Sequence, residues 1–131
     1  MSSAYRLVDA LDWRSGDRGG ASWRAWGAEI GGRRVGGGRP ETVPPVLIVE
    51  ALAQCAGLLL HDDARAGVWL LAGIDEARFA PLGWGVSVTV ECAVTGRTGA
   101  VATVDGSAVA GGVTVCDARL LLVWTALPST A

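Results

Sequence analysis

The run Val46–Leu60, VLIVEALAQCAGLLL, is apolar on nearly every helical face, interrupted only by Glu50 and Gln54. A helix of this kind must be covered on most of its sides, so the rest of the chain has to supply a wrapping layer. Glu50 and Gln54 are four residues apart and therefore share one face. The run is too short to cross a bilayer. The wider stretch Arg39–Asp63, RPETVPPVLIVEALAQCAGLLLHDD, reads as a loop leading into this helix. GGGRPETVPP is loop by composition, and Pro45 fits a first helical turn, where its missing N–H goes unnoticed. DDARAG then ends the helix.

Beyond the helix the pattern changes to period two, in GVWLLAGIDEARF, GVSVTVECAVTG, GAVATVDGSAVA and VTVCDARLLLVWTAL. Alternation of this kind predicts half-buried antiparallel strands. The last two segments join at either Asp105-Gly106 or Gly111-Gly112. The second pair leaves strands of similar length and is the expected hairpin turn. Before the helix, AYRLVDALDW fits a short helix or a strand, RSGDRGG a turn, and ASWRAWGAEIGGRRV a strand. One long buried helix followed by long antiparallel strands predicts a single α+β domain over residues 1–131, its sheet wrapped around the helix.

Half of the 131 residues are hydrophobic, and the mean hydropathy is +0.37. That is more apolar surface than so small an interior can hide, which points to a subunit interface. The net charge of −2 is scattered, so nothing marks a nucleic-acid surface or an anionic membrane. No charged-then-apolar leader is evident, and a cytoplasmic location is expected. Cys55, Cys92 and Cys116 make neither a CxxC pair nor a zinc pattern and read as buried reduced thiols. GGRRVGGGRP lacks the lysine and the strand–loop–helix setting of a phosphate loop. No metal or organic cofactor is suggested.

VPPVLIVEALAQCAG followed by LLAGIDEARFAP resembles the hotdog-fold 3-hydroxyacyl-ACP dehydratases of fatty-acid synthesis, the FabZ/FabA group. The likeness is clear from Pro44 to Pro81, weaker through the C-terminal strands, and faint before Arg39. It implies a hotdog fold with active sites assembled across a dimer interface. It also implies a catalytic histidine before the helix and a glutamate within it. The glutamate falls on Glu50 and the family's glutamine on Gln54. The histidine falls on Gly36, so the base is missing. The glycine whose N–H would meet the thioester carbonyl falls on Pro45, which has none. Asp75 and Arg78 of GIDEARF are expected to hold the strand and its turn through an ion pair or backbone bonds.

Dehydrating a β-hydroxyacyl thioester needs a base for the α-proton and an acid for the departing hydroxyl. Glu50 among Val46, Ile48, Val49 and Leu52 has apolar surroundings that favour a protonated carboxyl. The structural alternative is a carboxylate capped by an N–H or by an arginine such as Arg78. His61, the only histidine, lies eleven positions beyond Glu50, about 16 Å along a helix, and reads as a surface residue. The resemblance therefore implies one subunit of a heterodimeric dehydratase of a type II polyketide, polyene or fatty-acid pathway. Its hotdog partner would supply the histidine, and an acyl carrier protein would deliver the acyl-phosphopantetheine. The alternatives are a non-catalytic, acyl-binding hotdog subunit, or a hotdog thioesterase or cyclase. Expected substrate contacts are Gln54, Val46, Leu47, Ala51, Cys55 and Leu58 on the helix and Phe79 on the strand. Trp84 stands either at the tunnel mouth or in the core.

Overall fold

A computed structural model describes residues 7–24, 29–30, 33–34, 42–62 and 66–126. The helix α1 (Pro45–Leu60) has Pro45 in its first turn and no side-chain cap at Pro44. It stops where the His61 N–H turns back to the Leu58 carbonyl at 3.4 Å. The chain ahead of it is anchored by the Val43 N–H to the Leu82 carbonyl at 2.8 Å.

Before the helix come β1 (Trp13–Ser15), β2 (Arg18–Arg24) and the two-residue strands β3 (Glu29–Ile30) and β4 (Arg33–Arg34). After it come β5 (Gly67–Phe79), β6 (Ser87–Thr98), β7 (Val101–Ala110) and β8 (Val113–Ala126). Six of these form one antiparallel sheet in the order β1-β2-β6-β7-β8-β5, while β3 and β4 pair with each other. The four period-two segments are thus the four long strands. AYRLVDALDW corresponds to no helix in its described part: Leu7–Asp12 leads irregularly into β1. Gly111 and Gly112 turn the β7–β8 hairpin at φ 58° and 78°, with Ala110 opposite Val113. Two successive left-handed residues are what a two-residue hairpin demands, and glycine adopts them without strain. Asp105-Gly106 lies within β7 instead.

The sheet curves around the helix, helped by irregularities of register in β5, β6 and the β7–β8 pair. Alternate residues of each strand face inward. Val88, Val90 and Cys92 of β6, Ala102, Val104 and Ala108 of β7, and Cys116, Leu120 and Leu122 of β8 are buried against α1. The helix contributes Ile48, Leu52, Ala56 and Leu59 to this core. Small inward residues let the helix settle close to the strands. At Gly106 a Cβ would come within 3.2 Å of a Leu52 methyl.

All three cysteines are buried and unbridged. The Cys92 thiol lies 3.4 Å from the Leu52 carbonyl, to which it donates. Its contact with the Cys55 thiol and its burial raise its pKa above the ordinary thiol range. Burial, reinforced by Asp117, pushes Cys116 up to about 11.

Two outcomes follow from this core. Leu52→Ala, at a side chain with no exposed surface, is expected to destabilise the fold by about 2–5 kcal/mol in denaturant unfolding. The Cys116 thiol holds its proton to higher pH in the folded chain than in the unfolded one. Its stabilising contribution is therefore complete below pH 9.0 and is lost as pH rises toward about 11. Urea midpoints measured at pH 8 and 10 should fall with pH, and Cys116→Ala should make that fall shallower. An unchanged slope would show that Cys116 does not contribute.

Candidate functional site

The sheet covers the helix incompletely because it ends at β5, whose outer edge pairs with no other strand among the described residues. A stripe of α1 is left open beside that edge. There an open groove of about 830 Å³ runs between helix and strand, lined by Glu50, Ala53, Gln54, Gly57, Leu58 and His61 on one side. Gly67 to Leu71 line the other side, and Val8 and Asp9 close one flank. The helical spacing explains the grouping: positions 50, 54, 57 and 61 recur every three or four residues and fall on one face.

Within the groove, Glu50 is half-buried. Its Oε2 accepts a hydrogen bond from Gln54 Nε2 at 3.1 Å. The other end of the Gln54 side chain is occupied as well. Its Oε1 accepts the backbone N–H groups of Leu7 at 2.7 Å and Val8 at 2.9 Å. Two donors on one oxygen fix which end of the amide is carbonyl, so the NH₂ end must point at Glu50. Gln54 thereby ties the N-terminal segment to the helix and sets the orientation of the carboxyl group. Among the described residues no cation pairs with Glu50, so Arg78 does not cap it.

The other expected site residues are placed as follows. Leu58 lines the groove with Glu50 and Gln54. Ala51 and Cys55 turn the other way and are fully buried. They fall on the helix face that meets the sheet, and Ala53 and Gly57 take the places in the groove. Val46 is 70% exposed in the first helical turn, and Leu47 is half-buried against the core. Phe79 lies at the far end of β5, exposed and opposite Cys116. Pro45 occupies the first turn of the helix with no N–H to offer. Gly36 lies outside the described residues. His61 is exposed and borders the same groove, though eleven positions from Glu50. Trp84 is half-buried against the core and does not line the groove.

Asp75 and Arg78 form no ion pair with each other among the described residues. They stand opposite Arg119 and Asp117 of β8, on either side of a bulge in which Glu76 adopts φ 51°. The backbone turns the strand at this point. Arg119 instead bonds Asp105 at 3.1 Å. That pair is half-exposed and contributes little to stability.

Sequence reading missed the structural half of Gln54 and the contributions of Asp9 and Trp69 to the groove. Nothing local marks them. Asp9 is forty-one positions from Glu50, and Trp69 is one apolar residue within an alternating strand. Among the described residues no group of histidines, cysteines and acidic residues is placed to hold a metal ion, and no helix is long and apolar enough to cross a membrane.

No protein-family model matches the chain. It is 37% identical over 89 residues to the 3-hydroxyacyl-[acyl-carrier-protein] dehydratase FabZ of Listeria monocytogenes serotype 4b, which takes in 66% of this chain and 62% of that protein. The FabZ of Solibacter usitatus is 39% identical over 83 residues, 60% of this chain and 51% of that one. The chain thus spans about six-tenths or less of the length of these curated relatives. Among solved structures, the dehydratase heterocomplex ApeI:P from Xenorhabdus doucetiae superposes with a TM-score of 0.73 at 12% identity, covering 95% of this chain and 86% of that one. A hypothetical thioesterase with coenzyme A from Streptococcus pneumoniae gives 0.67 at 10% identity, covering 95% and 98%. At such identities the two structures share the fold alone, and that fold is the hotdog.

Replacing Gln54 by leucine keeps the bulk but leaves two amides and one carboxyl oxygen without their partner. The expected cost is about 1–3 kcal/mol in stability. It should come with faster hydrogen exchange at Leu7 and Val8 than in the unsubstituted chain. Unchanged exchange at those two amides would refute the anchoring role.

Proposed function

Because the chain is a FabZ-like hotdog protein that keeps the helix carboxylate, we propose that it is one subunit of a 3-hydroxyacyl-ACP dehydratase, paired with a second hotdog chain. The observation that carries this reading is the position of Glu50. Its carboxyl group is oriented by Gln54 and faces a groove bordered by the outer edge of β5, which pairs with no strand among the described residues. That edge, with Val68, Leu70 and Ile74 exposed at 42–49%, invites a partner strand. A partner seated there would close the groove and bring its own residues to Glu50.

The chemistry divides between the two chains. The partner's histidine takes the proton from C2 of the 3-hydroxyacyl thioester. Glu50, protonated, donates to the C3 hydroxyl as the C3–O bond breaks, and water leaves from a 2-enoyl thioester. The reciprocal half-site would need a base at Gly36 and an N–H at Pro45. It would therefore be inactive, leaving one working site per heterodimer. The acyl group arrives on the phosphopantetheine arm of an acyl carrier protein, and its chain lies in the groove beside Gln54 and Leu58. Nothing in this scheme requires a cofactor.

The test is to co-purify the chain with a hotdog protein that carries the missing histidine and to follow dehydration of 3-hydroxyacyl-ACP. Glu50→Gln preserves shape and hydrogen bonding but cannot supply the proton, and it should lower the rate by about 10²–10⁴-fold. Full activity in that variant would make Glu50 a structural group and this chain a non-catalytic partner.

A further inference from the structure

The helix and the groove use one face of the sheet, and the other face is left in water. Strand residues alternate between faces, so the neighbours of the buried Ala102, Val104, Leu120 and Leu122 point away from α1. On β7 these are Val101, Thr103 and Asp105, and on β8 they are Arg119, Leu121 and Val123, none of them buried. Val101 and Leu121 are 39% and 37% exposed. Apolar side chains on a stiff sheet gain free energy when a second surface covers them.

Register orders these six residues into three rungs: Val101 opposite Val123, Thr103 opposite Leu121, and Asp105 opposite Arg119. The β7–β8 pairing is regular through all three, its irregularity falling farther along at Ala108–Val109. A two-fold axis parallel to the strands and midway between them exchanges β7 with β8. It lays every rung of one copy over the same rung of a second copy, reversed. Val123 then meets Val101, Leu121 meets the methyl-bearing Thr103, and Arg119 meets Asp105, each contact occurring twice. Within one chain Arg119 Nε donates to Asp105 Oδ1 at 3.1 Å, and both side chains are half-exposed. Two copies bring these ions into a ring of alternating sign. Each guanidinium then has one carboxylate beside it and another across the interface. Sheets packed face to face lie about 10 Å apart, a gap that interdigitating side chains fill.

We propose that the outer face of β7 and β8 is a self-association surface whose occupant is a second copy of this chain, related by that two-fold axis. A copy supplies the match automatically. A foreign protein would need apolar, hydroxyl and ion-pair rungs in the same order, and a strongly acidic or basic one would meet both signs of charge. The curvature of the sheet around α1 makes this face convex. Contact therefore concentrates on β7 and β8, the middle of the run β6-β7-β8-β5. So narrow a contact falls short of the roughly 800 Å² per partner of a stable complex, and the association is weak and concentration-dependent. It leaves the β5 edge untouched and stands whether or not the dehydratase reading does.

The experiment is sedimentation equilibrium of the full chain from about 10 µM to about 1 mM. The average mass of the unsubstituted protein should rise with concentration. Arg119→Asp puts only carboxylates at the centre of the contact, and Asp105→Arg only guanidinium groups. Each variant alone should associate at least about tenfold more weakly. An equal mixture of the two variants places opposite charges across the interface and should recover the association to within about threefold. Mixing repairs the loss only if the charges face each other between copies, because a structural defect in either variant would persist. A chain that keeps one mass across the whole range overturns the inference. So does an association that Arg119→Asp leaves unchanged, which places the contact at the β5 edge or on another surface. Variants that fail alone and also fail when mixed overturn it as well. Should either variant not fold, an equal mixture of ¹³C-labelled and unlabelled chain decides the matter. Filtered NOEs should join Val123 of one copy to Val101 of the other, and their absence refutes the contact.

Discussion

A single curved sheet can surround only part of an apolar helix, and much in this protein follows from where the sheet stops. Strands β2, β6, β7, β8 and β5 bury Ile48, Leu52, Ala56 and Leu59 together. One stripe of α1 remains beyond the reach of β5. Apolar residues on that stripe would be a liability in water, yet Glu50, Gln54 and His61 are found there. The polar residues that interrupt the helix are therefore at the place where the wrapping fails. The same edge borders the groove and, among the described residues, leaves the outer backbone of β5 without a strand partner.

Gln54 shows how a single amide can serve structure and site together. Two amide donors fix its carbonyl end and thereby determine what its NH₂ end must meet. The carboxyl of Glu50 is steadied by that NH₂ group, with no cation paired to it among the described residues. The segment Leu7–Val8, faint in its resemblance to anything, thus becomes part of the site through its backbone. A backbone N–H carries no side-chain signature, so no reading of those residues could have identified the contact.

Elsewhere the sequence was legible wherever local periodicity or backbone stereochemistry left one answer. The helix, the four long strands and the Gly111-Gly112 turn follow from spacing, from proline at a first turn and from glycine's tolerance of positive φ. The role given to Asp75 and Arg78 was only half legible. A bulge at Glu76 turns the strand, and strand residues on either side of a bulge no longer share the simple alternation by which partners are guessed. Ala51 and Cys55 were expected to touch the substrate together with Gln54 and Leu58, and each follows a groove residue, Glu50 or Gln54, by one position. A helix rotates about 100° per residue, and one position of offset was enough to turn them into the sheet.

What the sequence alone determined was the set of elements and the chemical types the helix offers to the site: one carboxyl, one amide, and a proline in the first turn with no N–H to donate. These are local or compositional facts, and folding cannot alter them. Only the tertiary structure decided which of those groups meet. The stack of Arg97, Trp69 and Trp124 joins three strands across fifty-five positions of chain, and the groove exists because a sheet of six strands ends where it does. Contacts of that kind depend on strand order and register, which long-range packing sets and no short stretch of residues encodes.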